Sequence, residues 1–397
     1  MDRQLLSAAM GVAAASLRAN IRPLKDAEGR DRTVLVAGAG QFASVWTRDF
    51  CFAAGGLLAV GEAQTVRHTL LEIIDRQRAD GLFPRLLDSY HWATHFVRAA
   101  TRAPIPLVAP LKANFTSDHF VTSIDGNALV SWAAARYALH TENYAWAGLV
   151  LPRLERAMAY YDAKERGGFI HQPPCSDWKD TVSGRRGAVF FTQLLRWKAL
   201  VELGRLYAAM GRRSMAAAKK SRVRELARRT HRAFWDPNRG HFRDTLVFPR
   251  FSSDGNLAAA AWGFADEEES SRILRSMDRC GLLTPWGPRA GERHPWRQKG
   301  LLTLLAGIPG YHDDYVWLWN TALLLQTFFL LHREAIGYKL LESVCKLLVD
   351  AGAVSEVYRP DSGEEVRTWL YRSERPFSWS AAMLVEAFAK VAGEKTT

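Results

Sequence analysis

The chain has 397 residues, of which 48% are apolar, 11% aromatic and 24% charged. With 14 Trp, 29 Gly and 16 Pro, it is neither disordered, collagenous nor coiled-coil, and it is long enough to bury a large core. The net charge of +12 suggests an anionic partner when taken alone, but residues 212–232 hold nine Lys or Arg against one Glu and so supply +8 of it.

In chain order, helical periodicity predicts twelve helices, near 2–20, 48–60, 62–79, 123–140, 142–164, 187–211, 213–234, 255–264, 266–277, 312–333, 334–352 and 377–392. The first is expected to be an amphipathic helix rather than a signal peptide. It is Ala-rich, carries Asp2 in its opening turn and runs without a break into Leu17 to Ile21. In 213–234, Lys220, Arg224, Arg228 and Arg232 recur every four residues, while Met215, Val223, Leu226, Ala227 and Phe234 fall on another face. That pattern is expected to be a solvated outer face rather than a binding patch. No apolar stretch approaches the 18 to 20 residues or so of a membrane span, so no membrane is expected as a partner, and with the basic stretch read as a solvated face no nucleic acid is expected either.

Very short turns join several of these helices into pairs, which implies antiparallel hairpins. Longer connections at 80–117, 165–186, 236–254, 278–311 and 353–376 separate the pairs, with short β-ribbons expected at 33–37 and 241–248. A length of 397 suggests two or three domains at about 150 residues each. No linker or composition shift divides the chain, so one domain over 1–397 is expected, an all-α (α/α)6 barrel of six hairpins with the long loops gathered at one end. Cys51, Cys175, Cys280 and Cys345 have no metal or disulfide spacing, which points to a reducing, cytoplasmic setting.

The chemistry-bearing residues fall in or beside the long loops. Trp46-Thr47-Arg48-Asp49 joins a cation and an acid at a helix start, where a cap with an ion pair is an equal reading. Ser123-Ile124-Asp125-Gly126-Asn127 opens the next long helix, and an N-cap explains Asp125 equally well. Asp177-Trp178-Lys179-Asp180 sets two acids around a Trp in a loop. Tyr311-His312-Asp313-Asp314-Tyr315-Val316-Trp317 crowds polar and aromatic groups, and Glu356 stands between the apolar neighbours of Ser355-Glu356-Val357-Tyr358, with Phe377-Ser378-Trp379 following.

Aromatic faces stack on the apolar faces of sugar rings, and carboxylates and Arg bind hydroxyls. Glycosidic cleavage takes one carboxylic acid to protonate the leaving oxygen and a carboxylate opposite, for which Asp180 and Glu356 are the candidates. Trp46, Trp178, Trp317 and Trp379 flank these clusters and are expected in a pocket, whereas Trp132, Trp146, Trp197 and Trp262 sit mid-helix and are expected in the core. There is no Walker loop, GxSxG or HExxH, and His91, His95, His119 and His312 lack ligand spacing, so no metal or cofactor is expected.

At these clusters the chain resembles the six-hairpin glycosidase superfamily, most of all the catalytic domains of amylo-α-1,6-glucosidases, with similarity to neutral/alkaline invertases and glucoamylases. The pieces are WTRDF, SIDGNAL, DWKD with RRGAVFFTQLLRWKAL, SDGNLAAAAWG, YHDDYVW, and SEVY with FSWSAAML, in the family's order over residues 42 to 390. The resemblance implies a carbohydrate substrate and hydrolysis with inversion. It makes Asp180 the general acid and Glu356 the general base, with Arg48 and Asp49 on the non-reducing sugar and Asp125 and His312 lining the same subsite. Asp177 competes with Asp180 for the acid role. Asp313-Asp314 departs from the Asn-Gly common in the family, and the chain opens at its first barrel helix where many debranching enzymes carry a β-sandwich. An invertase or disaccharide hydrolase on the same barrel, and a catalytically idle carbohydrate-binding protein, are the alternatives.

Overall fold

The computed structural model describes residues 2–26, 29–89 and 107–393. His91 and His95 lie outside the described residues. Thirteen α-helices are present among those described: α1 (Arg3–Arg18), α2 (Thr47–Ala59), α3 (Ala63–Asp75), α4 (Gly126–Thr141), α5 (Tyr144–Asp162), α6 (Phe190–Ala209), α7 (Arg213–Phe234), α8 (Ser253–Ala261), α9 (Glu267–Arg279), the short α10 (Leu301–Leu305), α11 (Leu318–Leu330), α12 (Glu334–Ala351) and α13 (Ser378–Val391). Twelve of these correspond to the twelve predicted.

Six of the long helices close a ring in which each packs on the next, in the order α2, α4, α6, α8, α11, α13 and back to α2. The other six lie outside it. Here α3 covers α2 and α4, α5 covers α4, α7 covers α6, α9 covers α8, α12 covers α11, and α1 packs on α12 and α13. The result is an (α/α)6 barrel.

Inner and outer helices differ in composition for a physical reason. An inner helix touches protein on all sides and needs no polar stripe. In α2 every residue from Thr47 to Leu58 is buried, and α11 is apolar apart from Asn320, Thr321, Gln326 and Thr327. In α7 only Leu226, Thr230 and Phe234 are buried. Close approach within the ring also constrains side-chain size: a Cβ on Gly56 of α2 would lie 2.5 Å from the Ala382 backbone of α13.

The face of α7 formed by Lys220, Arg224, Arg228 and Arg232 is exposed, while other cations of the helix turn to α5. Lys219 pairs with Glu155 at 2.6 Å, Arg222 with Asp162 at 2.8 Å and Arg229 with Glu165 at 3.0 Å, so acids from α5 and the segment after it neutralise three of the nine cations. No helix among the described residues is long and apolar enough to cross a membrane.

The differences from expectation lie at boundaries. The first ribbon pairs Ile21–Lys25 with Asp31–Leu35, so the predicted 33–37 strand begins earlier and its partner follows the first helix directly. The second pairs His241–Phe242 with Trp235–Asp236, and the remainder of 241–248 is loop. The helix expected from 312 starts at Leu318, because residues 312–317 form turns and then an extended Trp317 with φ −106° and ψ 116°. Of the four expected core tryptophans, Trp132, Trp146 and Trp197 are buried, whereas Trp262 ends α8 half-buried.

Candidate active site

The residues just before the inner helices meet at one end of the barrel. Trp46, Trp317 and Phe377, the N-caps of α2, α11 and α13, line a cavity of about 240 Å3. The positive ends of the inner-helix dipoles therefore face that end, which favours anionic and hydroxyl-rich groups.

Nine of the sequence-predicted site residues line this cavity: Trp46, Arg48, Asp49, Trp178, Asp180, His312, Trp317, Glu356 and Trp379. Two do not. Asp125 is buried behind Arg48 and accepts its Nε at 2.5 Å, while Ser123 Oγ donates to the other carboxylate oxygen at 3.0 Å. Asp177 turns into the protein, accepting Arg185 Nε at 2.7 Å and the Lys179 backbone N–H at 3.0 Å. Both acids thus support the wall instead of facing the cavity, and Asp177 is not placed to compete with Asp180.

Asp180 is held by cations. Arg85 Nη2 lies 3.0 Å from Oδ2 and Arg48 Nη1 lies 3.8 Å from it. Burial raises the Asp180 pKa above the usual carboxylate range, and the two guanidinium groups oppose that rise. Arg85 is positioned by backbone: Thr47 N–H donates to the Arg85 carbonyl at 3.0 Å, and the Arg85 N–H donates to the Asn114 carbonyl at 2.7 Å. Val45–Trp46, Leu86–Asp88 and Lys112–Asn114 form the three-stranded sheet that carries this contact.

Glu356 is 1% exposed and accepts three hydrogen bonds, from Tyr311 Oη, from Tyr371 Oη at 2.6 Å and from the Glu374 N–H at 3.3 Å. Burial pushes its pKa up to about 8, with the tyrosine donors pulling the other way. Burial thus displaces both candidate carboxyl groups, Asp180 and Glu356, upward. Asp49 is also buried, and its pKa is raised to about 7 by desolvation against the pull of Arg48.

The aromatic wall is built by Trp178, Trp317 and His312. The His312 and Trp317 rings are nearly parallel at 5° with centroids 6.0 Å apart, and Trp178 meets both edge-on at 5.2 and 5.5 Å. His312 shares a 2.7 Å hydrogen bond with Thr181 Oγ1, and burial holds its pKa well below the ordinary value, so it is neutral at pH 7.

Beneath this wall lies an ionic network. Arg185 reaches Asp177, Asp244 at 3.2 Å and Asp254 at 2.5 Å, and Trp178 Nε1 donates to the same Asp254 oxygen at 2.5 Å. Lys179, also buried, donates to Ser252 Oγ at 2.8 Å and to the Ala290 carbonyl at 3.1 Å. The loop carrying Asp180 is thereby fixed through the residues on its N-terminal side. Asp313 belongs to a separate buried cluster with His294 and Lys299, which accounts for an acid at that position. Asp314 pairs with Arg293 at 2.8 Å.

Arg85, Tyr311 and Tyr371 are cavity residues that the sequence reading did not single out. Tyr311 stands in the quoted YHDDYVW cluster, and Arg85 and Tyr371 fall in two of the long connections flagged as functional, 80–117 and 353–376. No group of three or more His, Cys, Asp or Glu suited to a metal ion occurs among the described residues.

No family model and no curated protein matches the sequence. Solved structures do match in fold. The fold is that of (α/α)6 glycosidases. A glycosidase in complex with glucose aligns with a TM-score of 0.69 at 16% identity, covering 99% of both chains. A mannosylglycerate hydrolase from Thermus thermophilus in complex with Tris aligns with a TM-score of 0.64 at 14% identity, covering 95% of this chain and 98% of the other. A rhamnosidase from Klebsiella oxytoca with rhamnose bound gives 0.69 at 14% identity, with 99% of this chain spanning 65% of that one.

Proposed function

We propose that this chain is an inverting, exo-acting glycoside hydrolase built as one catalytic domain, cleaving terminal sugars from oligo- or polysaccharide ends. Its first substrates to try are α-glucosides of the kind cut by amylo-α-1,6-glucosidases. The observation that carries the reading is the meeting of two carboxyl groups, the half-buried Asp180 and the buried Glu356, in one Trp-walled cavity. A volume of about 240 Å3 lies below the roughly 300–1,000 Å3 of drug-sized sites, in keeping with a single terminal ring.

In this reading Asp180 protonates the glycosidic oxygen, and the burial that raises its pKa keeps a proton available. Glu356 accepts a proton from the attacking water on the opposite side of the ring. Tyr311 and Tyr371 fix the Glu356 carboxylate, while Arg48, Asp49 and Arg85 take ring hydroxyls by charge-assisted hydrogen bonds.

Proton NMR of the products from a panel of isomaltose, maltose, sucrose, trehalose and glycogen tests substrate, linkage and anomeric outcome together. Release of β-glucose from an α-glucoside supports the reading, and sucrose or trehalose cleavage alone moves it to a disaccharide hydrolase. Sugar-dependent thermal stabilisation with no product, unchanged in Asp180→Asn and Glu356→Gln, would replace it with a binding protein.

A further inference from the structure

The cavity changes character from floor to rim. Its floor is polar and buried, with Arg48, Asp49 and Glu356 at 8%, 7% and 1% exposure. Three of its lining residues are exposed: Asp118, Leu302 and Leu370. Asp118 is engaged by Arg85 at 3.3 Å. The other two are aliphatic, at 52% and 61% exposure, and Ala306 and Ile308 continue that wall inward.

The two leucines come from separate segments that the fold ties together. Leu302 is on α10, Leu370 is at the tip of the hairpin leading back to Glu374, and Thr368 Oγ1 donates to the Ala306 carbonyl at 2.5 Å to join them. Trp369, 76% exposed, lies beside Gly307 in the same contact. A sugar on the leaving side would give up water at several hydroxyls to meet methyl groups that cannot hydrogen-bond, whereas an aliphatic or aryl group would bury apolar surface on both partners.

We propose that this rim is a leaving-group subsite that takes apolar aglycones, so that alkyl or aryl glycosides are hydrolysed beside sugar-linked ends and gain in kcat/KM as the aglycone lengthens. The inference rests on the reading of the cavity as a glycosidase site. In the reaction the bond between the anomeric carbon and the glycosidic oxygen breaks and the oxygen of water bonds to that carbon. The aglycone departs as an alcohol carrying the Asp180 proton, and Glu356 takes a proton from the water.

The n-alkyl series methyl, butyl and hexyl α-D-glucopyranoside tests it, because sugar and leaving-group acidity stay nearly constant while the chain lengthens. Burial of two methylenes at about 0.8 kcal/mol each corresponds to about fifteenfold, so kcat/KM for the hexyl glucoside should exceed that for the methyl glucoside by at least about tenfold. Leu302→Ser and Leu370→Ser should lower that ratio, which is read independently of overall activity. Hydrolysis with no dependence on chain length would overturn the inference and leave the hydrolase reading standing. If neither glucoside is hydrolysed, titrating both by Trp fluorescence separates the two ideas. Tighter binding of the hexyl compound keeps the apolar rim and removes α-glucoside hydrolysis, while equal or absent binding removes both. A dimer in sedimentation that Trp369→Ser dissociates, combined with flat chain-length dependence, would assign the face to a second copy of the chain instead.

Discussion

Arg85 Nη2 stands 3.0 Å from Asp180 Oδ2, and the same guanidinium lies over Trp46 with its carbon 4.6 Å from the ring centroid. The cation stabilises the Asp180 carboxylate while burial disfavours it, so the two effects set the proton affinity of the proposed acid from opposite directions. Arg85→Met removes the cation and keeps an apolar stem on Trp46. Asp180 should then hold its proton to higher pH, and the alkaline limb of the kcat/KM profile should move upward while the rate falls. An alkaline limb that does not move would show that another group sets it.

Tyr371 Oη donates to Glu356 Oε2 at 2.6 Å and favours the ionised form of a carboxyl already raised to about 8 by burial. Tyr371→Phe deletes that donor at almost constant volume. The Glu356 pKa should rise further, shifting the acidic limb of the kcat/KM profile upward and lowering activity at pH 7 more than at pH 9. Glu356→Gln should reduce kcat by roughly 10²–10⁴-fold, the usual contribution of a general base. Equal losses at both pH values for Tyr371→Phe would show that the tyrosine acts through packing alone.

The fold was legible because inner and outer helices carry different patterns, with α2 and α11 mostly apolar and without a continuous charged stripe, and α7 buried only along a narrow strip. The candidate acids stood out for different reasons, Glu356 because it lies between apolar neighbours and Asp180 because it is one of two acids around Trp178 in a long loop. What sequence does not carry is side-chain direction in a loop. Asp177 and Asp180 are three residues apart, yet Arg185 draws the first inward while Arg85 meets the second at the cavity. Arg85 and Tyr371 themselves sit in connections without periodicity, and their partners are 95 and 15 residues away, so nothing local marks them.

Glu356 also makes stability depend on pH. Its pKa is raised from 4.5 to about 8 on folding, so the unfolded chain releases this proton first and stability falls as pH rises through that window. At 1.36 kcal/mol per unit, the loss is about 5 kcal/mol at most. Glu356→Gln removes the titration, so urea unfolding at pH 5 and pH 8.5 should show the variant gaining stability relative to the natural chain by roughly 2–5 kcal/mol between the two. A difference that stays constant with pH would mean that Glu356 is ionised in the folded protein across the whole range.

Arg185 is buried with Asp177, Asp244 and Asp254 around it, while Lys179 is the other cation of this network. Removing one member of a buried ionic cluster leaves charge without compensation, at a cost of about 3–5 kcal/mol. Arg185→Met should therefore lower the urea midpoint substantially, whereas Lys25→Ala, which breaks an exposed pair with Asp31, should leave it unchanged. Because Trp178 Nε1 donates to Asp254, the folded fraction of Arg185→Met should also show altered Trp fluorescence and weaker binding in the cavity. An unfolding midpoint equal to that of the natural chain would mean that the three aspartates take up protons in the folded state at little cost.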